Sequence, residues 1–465
     1  MTGAGVARLP LIMASVMLAI LIGPLNSTMI AVALPAVSHD LHLPYGGENA
    51  LVTVYLIAMS CLLPIAGKLG DRYGRRQTIL AGLALFFLAS LGGTIAGNLP
   101  LLVAFRALQA AGGALLLPNG MALLRDVVPP ERLGKTLGLV GVSAPLAAAA
   151  GPTLGSMLLG LTGWRGVFGV NLVLLLVPVA AGWLILPRGA PRRAVGGFDA
   201  LGSLLLCGVL VTFTELLGLP GSGLAVAGWA VAFAVTLTLF LIRVHRHPDP
   251  VVAPRLFRSP GFTAASIGTL LSNVVMYGAL LALPSLMAQR WAPTTTGAVL
   301  SAMLAAVALL TPLGGWLVDR FEPRLMATAG FVVAGASLAP ICFAGAALTP
   351  LQLSLCLAAC GIGLGLANPA LQLVSIRAVD PAETGMAGGV GATARYLGSI
   401  TCSALLAGPL AAAVHQGGFG PPFLTFTAAA LLGTAAMALT YRRTRMEPEP
   451  AHVRSGGSNE VRDSG

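Results

Sequence analysis

The chain has 465 residues, of which 56% are hydrophobic and only 9% charged. A soluble domain carries about 25% charged residues, so a water-soluble enzyme or binding module is excluded. The net charge of +11 would suggest a nucleic-acid partner in a soluble protein, but here the basic residues stand in short loops between apolar runs, where bilayer topology explains them and no nucleic acid is expected.

In chain order the apolar runs fall at roughly 10–35, 49–67, 78–97, 101–124, 136–160, 166–187, 199–218, 223–242, 261–287, 297–318, 325–347, 350–375, 387–414 and 421–441. Each is long enough to cross a hydrocarbon core of about 30 Å, and the alternating pattern of barrel strands is absent. The pattern predicts an all-α membrane protein with about fourteen transmembrane helices. The first run is too long for a cleaved leader and reads as a retained span.

The basic residues test this count. With the N-terminus inside, the outer loops hold only Arg165 and Arg290, and Arg106 and Arg395 fall inside spans. Every other one of the 27 lysines and arginines falls on the inner side. One span more or fewer would invert every later loop and destroy this asymmetry. Both termini are therefore expected in the cytoplasm of a multi-pass inner-membrane protein.

The densest charge cluster is Gly67-Lys68-Leu69-Gly70-Asp71-Arg72-Tyr73-Gly74-Arg75-Arg76. It reads as an inner turn that is basic by topology, and further as a structured turn. Gly67, Gly70 and Gly74 would let two helices approach closely. Asp71 would stand near the first turn of the next helix, favoured by its dipole and paired with an arginine. A diluted copy, Gly315-Trp316-Leu317-Val318-Asp319-Arg320, follows 248 residues later. Pro118, Pro130 and Gly134 also recur, as Pro369, Pro381 and Gly385, each 251 residues on.

Two nearly equal offsets imply two related halves of the same orientation, that is, parallel repeats. The copies are eight spans apart where six-helix halves need six, so one helix pair is inserted. The predicted division is a six-helix bundle over 1–187, an inserted pair with its loops over 188–258, a second six-helix bundle over 259–443, and a disordered cytoplasmic tail over 444–465.

These residues resemble a known family. The cluster at 67–76 resembles the loop between the second and third helices of the major facilitator superfamily. Arg106-Ala107-Leu108-Gln109 resembles its fourth-helix arginine motif. Gly151-Pro152-Thr153-Leu154-Gly155 resembles the fifth-helix motif of its drug:proton antiporters, and 25–35 resembles the first-helix motif of the fourteen-helix branch. Three positions depart from the pattern: Asn26 stands where an aspartate is usual, Ala110 where a glycine is, and Ser156 where a second glycine is. The last two stay small, whereas the first removes a titratable group.

The resemblance implies a secondary transporter, with no catalytic centre, cofactor or metal, that acts as a monomer. It would export small organic molecules, lipophilic or cationic, by proton-coupled alternating access. A dedicated exporter of one endogenous metabolite, with coupling altered by Asn26, is the alternative. The 67–76 cluster would gate the inner side. Gly151, Pro152 and Gly155 would help seal the cavity during alternation.

Arg106 is read as facing a water-filled cavity, held by Gln109 one turn on, with both serving coupling. Carboxylates within the spans are scarce, and Glu215 and Glu48 are the candidates for a proton carrier. Asn26, Tyr55, Asn273, Tyr277, Asn368 and Arg395 are the candidates for the substrate cavity; lone amides in spans also bridge helices. The six cysteines lie in apolar runs without ligand spacing and read as packing residues. Gly134-Lys135-Thr136 has Pro129 where a phosphate loop needs its first glycine, so no complete phosphate loop occurs, which argues against ATP-driven transport.

Overall fold

The computed structural model describes residues 3–43, 47–184, 186, 199–218, 223–248, 250–252, 254–288, 290–380 and 383–446. The expected tail lies outside the described residues from 447 on, as do residues 187–198 of the loop before the inserted pair. The helices of the first half are α1 (Gly3–Asp40), α2 (Ala50–Tyr73), α3 (Arg75–Ile95), α4 (Leu99–Val127), α5 (Pro130–Thr162) and α6 (Arg165–Leu184). Next come α7 (Ala200–Gly218) and α8 (Gly223–Arg246). The second half has α9 (Pro260–Met287), α10 (Pro293–Val318), α11 (Pro323–Ala344), α12 (Pro350–Arg377), α13 (Thr384–Ala407), a short α14 (Ala411–His415) and α15 (Gly420–Met446).

Local chemistry sets the helix starts. Proline opens α9, α10, α11 and α12, where its missing N–H leaves no intrahelical bond unmade. The Asn98 side chain accepts from the Leu101 N–H at 3.0 Å to cap α4. Thr349 and Gln352 cap α12 reciprocally. Among the described residues, twelve helices are long and apolar enough to cross a bilayer, and α2, bent by 48° between its two segments around Pro64, makes a thirteenth. The expected fourteenth, α13, is glycine-rich and carries Arg395, and it is shielded by α2, α7 and α9.

The helices pack as two sets. In the first, α1 lies against α4, α5 and α6, and α4 against α2 and α3. In the second, α12 lies against α10 and α11, and α9 against α13 and α15. The main contacts between the sets are α1 with α9, α5 with α10, and α2 with α13. Since α2 and α10 carry the repeated Gly–Asp–Arg pattern, the last two contacts are equivalents under a parallel repeat. The pair α7–α8 packs on itself and on α2 and α13. It is pinned by Asp199, whose carboxylate caps the Gly202 N–H at 2.9 Å and accepts from Arg243 Nε at 2.8 Å.

Candidate functional site

The 67–76 cluster lies at the end of the bundle called here the basic end. It is a helix–glycine–helix joint rather than a loop. Helix α2 runs through to Tyr73, Gly74 takes φ +95° and α3 begins at Arg75. Asp71 is therefore in the last turn of α2, not at the start of α3 as the sequence suggested, and pairs with Arg75 across the joint at 3.8 Å. Arg75 also pairs with Asp126 at the end of α4. Arg76 reaches α6, donating to the Trp183 carbonyl at 2.9 Å. Arg72 is exposed and lies against the Tyr73 ring. A Cβ on Gly70 would overlap the Asn119 amide, which itself donates to the Ala66 carbonyl at 2.9 Å. Gly67 is looser: a Cβ there would lie 3.9 Å from Pro118 Cβ. These contacts all lie within the first set of helices.

A buried polar network fills the centre of that set. Arg106 does not face an open cavity, as the sequence suggested; it is completely buried in α4. Its Nε donates to the Leu51 carbonyl at 3.2 Å and one Nη to Gln109 Oε1 at 2.9 Å. Gln109 passes a hydrogen bond to Ser90 Oγ at 2.8 Å. The Tyr55 ring covers the guanidinium, 4.5 Å from Cζ to its centroid, a cation–π contact. The second Nη and the Tyr55 hydroxyl have no hydrogen-bond partner among the described residues. A charge at mid-helix in a bilayer costs about 2.5–3.5 kcal/mol on insertion scales. These bonds offset part of that cost, and no carboxylate takes part.

Asn26 is fully buried on α1 and accepts from Asn171 Nδ2 of α6 at 3.0 Å. An amide there can pair with another amide; an aspartate would have left a charge in the same dry site. Next to it, Ser27 and Tyr277 of α9 share a hydrogen bond of 3.1 Å across the two sets. Asn273 is buried and donates to the Thr269 carbonyl of its own helix, while Asn368 accepts from Ser272 at 2.7 Å, an amide bridging α12 and α9. Arg395 is exposed on α13. Glu215 is exposed in the last turn of α7, remote from this network in sequence and on a helix that does not pack on α4.

The sets meet tightly toward the opposite end. Gly155 of α5 lies against the backbone of Met29, and Gly151 against Thr28, whose hydroxyl donates to the Ala148 carbonyl at 2.9 Å. The other side of α5, at Pro152 and Ser156, presses on Gly297 of α10. Two hydroxyl pairs bridge the sets, Thr153 with Ser301 and Thr53 with Ser403, each at 2.7 Å. They lie on the two equivalent contacts. Beyond them a cavity of about 850 Å³ is lined by His39, Asp40, Glu48, Arg165, Trp291 and His415.

Two sets of six helices thus meet at a seam of hydroxyl pairs, and the first set encloses Arg106. The sequence matches that of the Major Facilitator Superfamily over residues 16–266 and 265–462. The chain belongs to this superfamily. As a superfamily member it is a multi-pass membrane transporter of small substrates and not an enzyme. It is 37% identical to the uncharacterized MFS-type transporter YvkA of Bacillus subtilis, over 84% of this chain and 88% of that protein. It is 30% identical to the tetracenomycin C resistance and export protein of Streptomyces glaucescens, over 82% of this chain and 72% of that protein. A crystal structure of a POT family transporter in complex with 5-aminolevulinic acid superimposes with a TM-score of 0.71 at 13% identity, covering 94% of this chain and 96% of that one. That likeness shows the fold alone.

Sequence reasoning missed Ser90, Asn119, Asp126 and Asn171, and both hydroxyl pairs of the seam. Asn119 and Asn171 carried a signal, a single amide inside an apolar span. Serine and threonine carried none, because in helices they bond their own i−4 carbonyls as readily as a neighbour.

Proposed function

We propose that this superfamily member exports small organic molecules across the cytoplasmic membrane by alternating access, as a monomer with both termini in the cytoplasm. The observation that carries the reading is the pair of hydroxyl bridges, Thr153–Ser301 and Thr53–Ser403, closing equivalent seams toward one end. Hydroxyl pairs separate at little cost, since each partner can return to its own helix carbonyl. The sealed end faces outward by the arginine asymmetry, so the site loads from the cytoplasm. The antibiotic-export role named for the Streptomyces relative supports organic molecules as cargo.

A disulfide lock tests the alternation. Thr153→Cys with Ser301→Cys places two thiols on side chains whose oxygens are 2.7 Å apart, a geometry open to a bridge. Oxidation is expected to stop efflux at least tenfold and a reductant to restore it, with the wild type unaffected by either treatment. Undiminished efflux from fully cross-linked protein would exclude opening of this seam.

Proton coupling belongs to the same proposal, and it needs a carboxylate. Glu48 is buried and lines the cavity at the sealed end, whereas Glu215 is exposed. Glu48→Gln is expected to make efflux insensitive to a protonophore, and Glu215→Gln to leave that sensitivity intact. The check is dye efflux from cells with and without the protonophore; the reverse pattern would assign coupling to Glu215.

A further inference from the structure

Charge is distributed unevenly along these helices. Every carboxylate among the described residues lies at or beyond a helix end: Asp40 closes α1, Asp126 nearly closes α4, Glu215 lies in the last turn of α7, and Asp319 and Glu322 flank the turn from α10 to α11. Two cations stand well inside helices instead. Arg106 is the eighth residue of α4 and Arg395 the twelfth of α13.

Arg395 is exposed, and its surroundings identify what it is exposed to. Helix α13 presents no large apolar side chain at the surface among its described residues, which a lipid-facing helix would do. Gly388, Gly391 and Arg395 share one face by helical spacing. At both glycines a Cβ would meet nothing within 4 Å. This is an open slot of small residues with a guanidinium toward its end. The slot stands at the junction of the two sets: α13 packs on α2 of the first set and on α9, which carries Tyr277. Tyr277 is the residue that bridges to Ser27 of α1.

The buried polar atoms without partners point the same way. Arg106 Nη2, Asn26 Nδ2 and the Tyr55 hydroxyl are all able to donate. On α6 and α9 the amide acceptors left over are the oxygens of Asn171 and Asn273, both uncharged, whereas the carboxylate oxygen left over on Asp199 belongs to the start of α7.

We propose that the transport site takes an anionic amphiphile, an organic molecule bearing a carboxylate or phenolate, with Arg395 as its first ion-pair contact and Arg106 as a second cation behind the Tyr55 ring. The proposal rests on the transport reading above and reverses the charge that the sequence suggested for the cargo. A planar guanidinium matches a carboxylate with two parallel hydrogen bonds. Two cations that pair with no carboxylate among the described residues attract an anion and repel a cation of the same shape. An inside-negative membrane potential then assists export, by roughly fiftyfold in concentration ratio per elementary charge for each 100 mV.

The test uses tetraphenylborate and tetraphenylphosphonium, which share a shape and differ in charge. Their binding to the full-length protein in detergent is measured for the wild type, Arg395→Gln and Arg395→Glu. The wild type is expected to bind the borate at least tenfold more tightly, Arg395→Gln to bring the two probes level, and Arg395→Glu to favour the phosphonium. A structural role for Arg395 would lower both affinities together and would not invert the preference. Equal or tighter phosphonium binding by the wild type, no binding of either probe, or a borate preference that persists in Arg395→Gln each overturn the proposal. Failure of the transport reading shows separately, as charge-selective binding by protein that moves neither probe across proteoliposomes.

Discussion

Arg106→Gln is expected to abolish transport while leaving the protein folded in the membrane. The substitution removes a fully buried charge, so the insertion cost of about 2.5–3.5 kcal/mol disappears with it. Its loss leaves the Leu51 carbonyl without its donor, and the Gln109–Ser90 pair without its anchor. Each lost partner costs roughly 1–3 kcal/mol when the remaining group is buried, which largely cancels the gain in insertion. Stability therefore changes little.

The site changes more. Tyr55 loses the cation beneath its ring, and the link from α4 to α2 is broken next to the seam that α2 makes with α13. Arg106→Lys is expected to recover only a small part of the activity, because an ammonium cannot bond Leu51 and Gln109 at once in the plane of the ring. Transport in proteoliposomes, read beside the yield of monodisperse protein, checks both variants. Full activity in Arg106→Gln would reduce the network to packing.

Gly155→Val is expected to remove most of the folded protein. A Cβ on Gly155 would lie 2.8 Å from the Met29 carbonyl oxygen and 3.1 Å from its Cα. These are backbone atoms in the middle of α1, and neither can rotate aside. Overpacking of this kind costs about 1–3 kcal/mol when side chains yield, and more when backbone must move. Helix α5 would have to separate from α1 and carry its seam with α10 along. Gly151→Ala supplies a milder contrast, because the nearest atom in its way is the Thr28 hydroxyl, which can turn at the loss of its bond to Ala148, while Thr28 Cβ at 2.9 Å and the Leu25 carbonyl oxygen at 3.0 Å need only small shifts. Thermal unfolding of the two purified variants should rank Gly155→Val far below Gly151→Ala. Equal melting points would mean that α5 and α1 are not as closely packed as this interface requires.

The joint at 67–76 shows how far residue chemistry carries. Its glycines and its Asp–Arg pairing were legible, because few residue types take a positive φ or permit close helix approach. The Asp126 partner was not legible, since it lies 51 residues from Arg75 in the chain and an aspartate at a helix end is ordinary. Arg106 was legible as an outlier, a charge in an apolar run. Its environment was misjudged, because water and a tyrosine face satisfy a guanidinium in ways that leave the same trace in the sequence. The Asn26–Asn171 pair is similar: two isolated amides, each visible, with nothing to say that they meet.

The sequence by itself determined the long helices, their number to within the one glycine-rich span, the two-fold repeat and the superfamily. All of these follow from hydrocarbon thickness, from the obligation of a backbone in lipid to bond within its own helix, and from residues that recur at fixed spacing. Only the tertiary structure decided which end is sealed, which arginine is enclosed and which is open, and that no carboxylate among the described residues pairs with either. Those properties depend on which faces of α1, α2, α5, α9, α10 and α13 meet. In a membrane, facing surfaces are chosen by the fit of small residues and by scattered hydroxyl and amide contacts, which leave almost no periodic signal in the chain.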